Sequence, residues 1–137
     1  MSKSEEINQE VDVGQVLGAE PSTSVQQLTL YIPNKDKEGE ELGNQRKWVL
    51  EAAQLLAEIG GGVSIFPPME GGWINEDGEI IWENPVLIYT FINEGPFLSM
   101  LPELREFLHR MGRETNQGEV GLEFDGEFYR ICNFIQK

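Results

Sequence analysis

The order of patterns along this 137-residue chain predicts an α+β fold of the ferredoxin-like βαββαβ type, with an antiparallel sheet and two helices on one face. Two amphipathic helical stripes alternate with short runs of β-branched and aromatic residues. Two Asp-Gly pairs mark hairpin turns. One small hairpin is therefore expected as an insertion in this order, and a second hairpin is expected at the C-terminal end.

The chain is expected to hold one domain, at residues 28–137, preceded by a flexible acidic arm at residues 1–27. The arm is rich in Ser, Glu, Gln and Gly, and its few branched apolar residues are scattered. The first strand is predicted at residues 28–32, where apolar side chains alternate with Thr29 and Tyr31. Such alternation is typical of a strand with one buried face.

The first helix is predicted at residues 45–59, because apolar residues recur there at helical spacing. They are Trp48, Ala52, Leu55, Leu56 and Ile59. Glycines 60–62 end the helix, since glycine adopts left-handed backbone conformations at low cost. They do not resemble a phosphate loop, because no Lys-Ser or Lys-Thr follows and the glycines close a helix instead of opening one.

The middle of the chain predicts a short strand at 63–66, a hairpin, and a central strand. Strands at 73–75 and 79–82 flank the Asp77-Gly78 turn of the hairpin. Residues 86–92 form a nearly continuous β-branched and aromatic run, which favours a central strand buried on both faces.

The second helix is predicted from Ser99, as its N-cap, to Met111, with Pro102 in the first turn and Gly112 at the C-terminal end. Strands at 119–124 and 127–134 then flank a second Asp-Gly turn.

Several of these segments are similar to those of an uncharacterised bacterial family of small domains of unknown function. The matching segments are Gly61–Pro67, Gly72–Trp73, Gly78–Ile80, Trp82–Glu83 and Arg113–Val120. The resemblance covers about residues 28–131 and implies a ferredoxin-like fold. It implies no reaction, so it assigns no catalytic residue.

The charge of the chain is its largest departure from average composition. Ten Lys and Arg against 24 Asp and Glu give a formal charge of −14. This argues against binding to nucleic acid and to anionic membranes, because both rely on Lys and Arg. Residues 48–104 contain nine acidic residues and no Lys or Arg. The acidity could serve solubility alone, and the alternative is that it binds a basic protein as the partner.

The first functional hypothesis is therefore a non-catalytic acidic interaction domain that binds a basic protein surface, as an inhibitor, an immunity-type protein or an assembly subunit. Its candidate interaction residues lie on the inserted hairpin: Trp73, Glu76, Asp77, Glu79, Trp82 and Glu83. The two tryptophans would be aromatic anchors within an acidic rim. They could instead face each other across the hairpin and only stabilise it.

The alternative hypothesis is a small-molecule enzyme or ligand-binding domain that uses the open face of the sheet and the segment from Arg113 to Glu119. His109 would shuttle a proton, Arg113 would bind a carboxylate or phosphate, and Glu114 or Glu119 would act as a base. This hypothesis predicts a concave pocket that contains Arg113 and a shielded carboxylate. The same residues could instead cap a helix or form an exposed ion pair.

No metal and no cofactor are expected, because His109 has no second His or Cys at ligand spacing. The single cysteine, Cys132, excludes an intrachain disulfide and favours a reducing compartment. The N-terminus lacks the apolar stretch of a signal peptide, and no apolar run reaches the roughly 20 residues of a membrane helix. A cytoplasmic protein is expected, and a homodimer through the sheet is an open alternative.

Overall fold

A computed structural model describes residues 11–20 and 26–134 of the chain. The described part contains three helices: α1 (Val13–Leu17), α2 (Gln45–Gly60) and α3 (Glu94–Glu114). Its strands are β1 (Gln27–Ile32), β2 (Ser64–Ile65), β3 (Gly71–Ile74), β4 (Ile80–Glu83), β5 (Val86–Phe91), β6 (Val120–Phe124) and β7 (Glu127–Ile131). The prediction of a mixed fold of helices and strands is confirmed.

Five strands form one sheet in the order β2-β5-β1-β6-β7, and every neighbouring pair is antiparallel. The strand β1 lies at the centre, where all six of its residues pair with β5. The strands β3 and β4 form a separate two-stranded sheet, which is the inserted hairpin that the Asp77-Gly78 pair predicts. The predicted antiparallel sheet is therefore confirmed.

The core lies between one face of the sheet and the helices α2 and α3. Alternate residues of β1 are turned toward the helices, and Leu30 and Ile32 are completely buried there. Trp48 of α2 packs edge-on against Phe107 of α3, with ring centroids 6.0 Å apart. The amphipathic stripe of α2 thus covers the apolar face of the sheet, as its residue spacing predicts.

The other face of the sheet carries no helix among the described residues, and we call it the open face. Tyr31, Leu87, Gly121 and Phe128 lie on it, one from each of four neighbouring strands. The prediction that β5 is buried on both faces is wrong, because its residues alternate between buried and partly exposed. Neighbouring strands on both sides of β5 pair with its backbone, but they do not shield the side chains that it places on the open face.

The helix α3 is longer than predicted at both ends. It begins at Glu94, five residues before Ser99, and Ser99 lies inside the helix, where its hydroxyl donates to the Pro96 carbonyl. The prediction that Pro102 lies in the first turn is wrong, because Pro102 lies inside the helix. Pro96 lies in the first turn, where proline is tolerated because its missing N–H has no partner there. Gly112 is not a cap but a buried helical residue, since the Phe134 ring occupies the space of its absent Cβ.

The segment predicted to be an arm includes residues 1–10 and 21–25, which lie outside the described residues. Within it, Asp12 caps α1 by accepting a hydrogen bond from the Gln15 N–H at 3.0 Å, and Gly18 ends α1 in a left-handed conformation. The central sheet begins at Gln27, at the predicted boundary of the arm. In the described ranges, no helix has both the length and the apolar character needed to span a membrane.

Candidate active site

A cavity of about 640 Å³ lies between the β3–β4 hairpin and the open face of the sheet. The open-face residues Tyr31, Leu87, Gly121 and Phe128 form its floor. The facing wall is the β3–β4 hairpin. The rim comes from two connections, at residues 33–37 and 117–119.

Hydrogen bonds from polar side chains hold the hairpin over the sheet. Lys35 donates from Nζ to the Trp82 carbonyl at 2.9 Å, and the Asn84 N–H donates to Asn34 Oδ1 at 2.7 Å. The Asn84 side chain donates in turn to the Met69 carbonyl at 3.2 Å. These contacts join the base of the hairpin to the segment that follows β1, so the cavity has a fixed wall.

The register of the hairpin decides which of its side chains reach the cavity. Trp73 pairs with Ile81, and Trp82 pairs with Gly72. Successive side chains on a strand point to opposite faces, so the two tryptophans lie on opposite faces of the hairpin. The prediction that they face each other is wrong, and of the two only Trp73 lines the cavity.

Glu83 is the shielded carboxylate of the site. Its side chain lies on the same hairpin face as Trp73, whose indole N–H donates to Glu83 Oε2 at 3.1 Å. Burial raises the pKa of Glu83, while the Trp73 hydrogen bond and the Lys35 charge act in the opposite direction. A carboxyl group with a raised pKa is suited to accept and release a proton.

Asp36 on the rim has a structural role. Its carboxylate accepts hydrogen bonds from the backbone N–H groups of Glu38 at 2.9 Å and Glu40 at 3.0 Å. The bond from Glu40 is the largest of the effects that lower the pKa of Asp36. Asn116 and Gln117 tie this loop to the segment before β6, because Gln117 Nε2 donates to the Lys35 carbonyl at 2.8 Å. Asp36 therefore stays ionised and shapes the rim.

The lining of the cavity is acidic and aromatic. Asp36, Glu83 and Glu119 against Lys37 give it a formal charge of 1 − 3 = −2. Glu119 also lies 3.6 Å from Arg130, measured from Oε2 to Nη1. Aromatic rings, those of Tyr31, Trp73 and Phe128, supply most of the remaining large surfaces. A small organic cation is the class of ligand that this lining favours.

The residues of the enzyme hypothesis are separated by the fold. Glu119 lines the cavity, whereas His109, Arg113 and Glu114 do not. His109 is buried on α3 with its ring edge-on to Phe134 at 6.2 Å, and burial, Arg105 and Arg113 lower its pKa. The predicted pocket with a shielded carboxylate exists, but Glu83 supplies that carboxylate and Arg113 is not part of it.

The residues of the interaction hypothesis are also divided. Trp73 and Glu83 line the cavity, while Trp82 lies on the outer face of the hairpin. Glu76, Asp77 and Glu79 lie at or beside its turn, outside the cavity lining. The acidic middle of the chain is not wholly unopposed, since Arg110 bonds to Glu51 at 2.9 Å.

Sequence reasoning did not select Tyr31, Asp36, Phe128 or Gly121. The alternation of β1 contained a signal for Tyr31, because it places that ring on the face opposite the buried leucines. Phe128 and Asp36 join the site only through strand pairing and loop contacts between distant parts of the chain. No local pattern marks such residues.

No protein-family model and no curated protein sequence matches this chain. Two solved structures of phage SAM lyase are similar to it in fold. The complex with S-methyl-5′-thioadenosine has a TM-score of 0.58 and 12% sequence identity, over 86% of this chain and 97% of the lyase chain. The apo structure has a TM-score of 0.57 and 14% identity over the same shares.

The fold comparison overturns the hypothesis of a non-catalytic interaction domain. The solved structures that share the fold over 86% of this chain are those of an enzyme. It agrees better with the alternative hypothesis, a small-molecule enzyme or ligand-binding domain. The resemblance to an uncharacterised bacterial family is not tested by these comparisons and stays a prediction.

Proposed function

We propose that this chain is a lyase that acts on S-adenosylmethionine, or on a closely related adenosyl sulfonium, in the cavity between the β3–β4 hairpin and the open face. The observation that carries the proposal is the acidic, aromatic lining of a cavity in a chain that shares its fold with phage SAM lyase. The size of the cavity is also suitable. At about 640 Å³ it lies within the 300–1,000 Å³ range of small-molecule sites.

The charge of the lining complements the substrate. S-adenosylmethionine carries a permanent positive charge on sulfur, a positive ammonium group and a negative carboxylate, so it is a net cation. Glu83 and Glu119 attract the positive charges, and the faces of Trp73 and Phe128 bind cations through their ring quadrupoles. The −14 charge of the whole chain further raises the local concentration of a cationic substrate.

The reaction breaks the bond between sulfur and Cγ of the aminobutyrate chain. The bonding electron pair stays on sulfur, which leaves as neutral S-methyl-5′-thioadenosine. The four-carbon fragment leaves either as a lactone, when its own carboxylate bonds to Cγ, or as an unsaturated amino acid, when a base removes a Cβ proton. Glu83 is the base that the second route would use. Both routes consume opposite charges, so each becomes more favourable as the bound substrate displaces water from the cavity.

The direct test is incubation of the purified full chain with S-adenosylmethionine, followed by chromatography of the adenosine products. S-methyl-5′-thioadenosine is expected to accumulate, and proton NMR of the second product distinguishes the lactone from the alkene. Glu83→Gln is expected to lower kcat by at least about 100-fold if Glu83 transfers a proton. Glu79→Gln, outside the cavity lining, is the matched control and keeps the wild-type rate.

Two results would contradict the proposal. One is a wild-type protein that releases no S-methyl-5′-thioadenosine above the uncatalysed background. The other is equal activity in the Trp73→Leu variant and the wild type, because removal of a cavity wall must weaken substrate binding.

We propose in addition that the sheet is of the ferredoxin-like type. With β7 set aside and the β3–β4 hairpin treated as an insertion, the remaining strand order is β2-β5-β1-β6. This order and the helices that follow β1 and β5 support the proposal.

A further inference from the structure

We propose that Glu123 is a positioning residue that fixes the aromatic floor of the cavity by holding the Tyr31 ring beside Phe128. The proposal rests on the proposed function, since it treats the cavity as the substrate site. Glu123 is not among the residues that line the cavity, whereas Tyr31 and Phe128 are. Its effect on a substrate would therefore be transmitted through Tyr31.

The hydrogen bond between the two residues is short and spans two strands. The Tyr31 hydroxyl donates to Glu123 Oε2 at 2.8 Å. Glu123 pairs with Thr29 across β1 and β6, so Tyr31 lies two residues further along the same face. Such diagonal neighbours are within reach of long and aromatic side chains. The bond therefore fixes the far end of the Tyr31 ring.

Phe128 completes this part of the floor. It pairs with Glu123 across β6 and β7, and its ring lies edge-on to Tyr31 with centroids 6.0 Å apart and an interplanar angle of 82°. The ring also lies over Gly121, where a Cβ atom would come within 2.8 Å of Phe128 Cζ. Any larger residue at position 121 would collide with the Phe128 ring, so the ring packs directly on the β6 backbone. The β6 backbone and the Tyr31 ring together fix the position of Phe128.

The hydrogen bond also makes the Tyr31 hydroxyl a weaker acid. Burial first, then the hydrogen bond and the charge of Glu123, raise the pKa of Tyr31 to about 12. The phenol therefore stays protonated at neutral pH. Tyr31 acts through its ring, as a surface that binds the substrate, and a loss of its position affects KM more than kcat.

The chain offers a matched control for this bond. Tyr129 donates to Glu127 Oε2 at 2.7 Å, which is a second Tyr–Glu pair, and neither residue lines the cavity. The test measures steady-state kinetics of S-methyl-5′-thioadenosine release from S-adenosylmethionine for Glu123→Ala, Glu123→Gln and Glu127→Ala. We expect Glu123→Ala to raise KM about tenfold, the effect of one lost charge-assisted hydrogen bond, with kcat changed less than about twofold. Glu123→Gln keeps an acceptor and restores KM to within about threefold.

A spectroscopic measurement reports on Tyr31 independently of activity. Ultraviolet absorbance of the phenolate, with Tyr31→Phe as the blank, gives the pKa of Tyr31 in each variant. In Glu123→Ala this pKa is expected to fall below about 12 but to stay above the ordinary 10.0, because burial is the largest of its causes. Glu127→Ala is expected to leave it unchanged.

The outcomes separate this inference from the proposed function. An inactive wild-type protein overturns both. An active wild type with an unchanged KM in Glu123→Ala overturns the inference alone, and so does an equal rise of KM in Glu127→Ala. A fall in kcat at constant KM in Glu123→Ala also overturns it, because that result indicates a role in the chemical step.

Discussion

Replacement of Glu83 by Gln is predicted to stabilise the fold while it lowers activity. Burial is the main cause that raises the pKa of this carboxyl, so the ionised form is disfavoured in the folded protein. Glutamine has the same shape and no charge. Its amide oxygen can still accept the Trp73 indole hydrogen bond, which is 3.1 Å long in the wild type.

The magnitude follows from the surroundings of Glu83. A buried polar group without adequate partners costs about 1–3 kcal/mol. Glu83 is half-buried and keeps one donor and the nearby Lys35, so the expected gain in unfolding free energy is smaller, about 0.5–1 kcal/mol at pH 7. A gain of 1 kcal/mol corresponds to a rise in Tm of roughly 2–8 °C for a domain of this size.

The pH dependence has a definite sign. Because the pKa of Glu83 is raised on folding, the folded state holds the proton more tightly than the unfolded state does. The wild type therefore loses stability as pH rises from the ordinary value of 4.5 through the raised value, and the variant lacks this loss. The advantage of the variant is present at pH 7 and shrinks toward zero in acid.

Urea unfolding at a series of pH values measures this difference directly. The difference in unfolding free energy between variant and wild type at each pH removes the contribution of the other carboxylates, which both proteins share. A Glu83→Gln variant that is less stable than the wild type at pH 7 would show that the ionised Glu83 carboxylate does not destabilise the fold. So would a stability difference that does not change between acid and neutral pH.

Two further predictions concern the packing of the helices. Gly60→Ala is expected to lower the free energy of unfolding in urea by about 1–3 kcal/mol, because the new Cβ would overlap the Thr90 hydroxyl and the Phe91 carbonyl. Gly62→Ala is the control, since a Cβ at that position meets no atom within 4 Å. A double-mutant cycle of Arg110→Ala and Glu51→Ala is expected to give about 1 kcal/mol of coupling, because the two side chains are only partly exposed and form an ion pair at 2.9 Å. Equal stability of the two glycine variants, or zero coupling, would contradict these predictions.

Sequence analysis predicted most of the helices, strands and turns, because the formation of each depends on residues that are close together in the chain. The Asp77-Gly78 turn predicted the β3–β4 hairpin, and Gly78 has the positive φ of 78° that such a turn requires. The start of α3 was missed because proline is normally confined to the first turn of a helix, so Pro102 placed the predicted start at Ser99. Pro96 instead lies in the first turn, and Pro102 lies on the exposed side of the helix.

The site was harder to predict from the sequence, because strand register and contacts between loops bring its residues together. A shift of one residue moves a strand's side chains to the opposite face, so composition alone did not show that Trp73 and Trp82 point apart. The segment from Arg113 to Glu119 was selected for its polar groups, yet only its last three residues, 117–119, reach the cavity. Net charge favours a cationic partner but does not distinguish a cationic small molecule, as proposed above, from a basic protein.

The proposed site is best examined in a crystal structure of the full chain with S-methyl-5′-thioadenosine. We expect density for the nucleoside between Trp73 of the hairpin and the Tyr31 and Phe128 rings of the open face, with Glu83 within contact distance. A ligand bound at any other surface, or a protein that stays empty at saturating nucleoside, would contradict the proposed site.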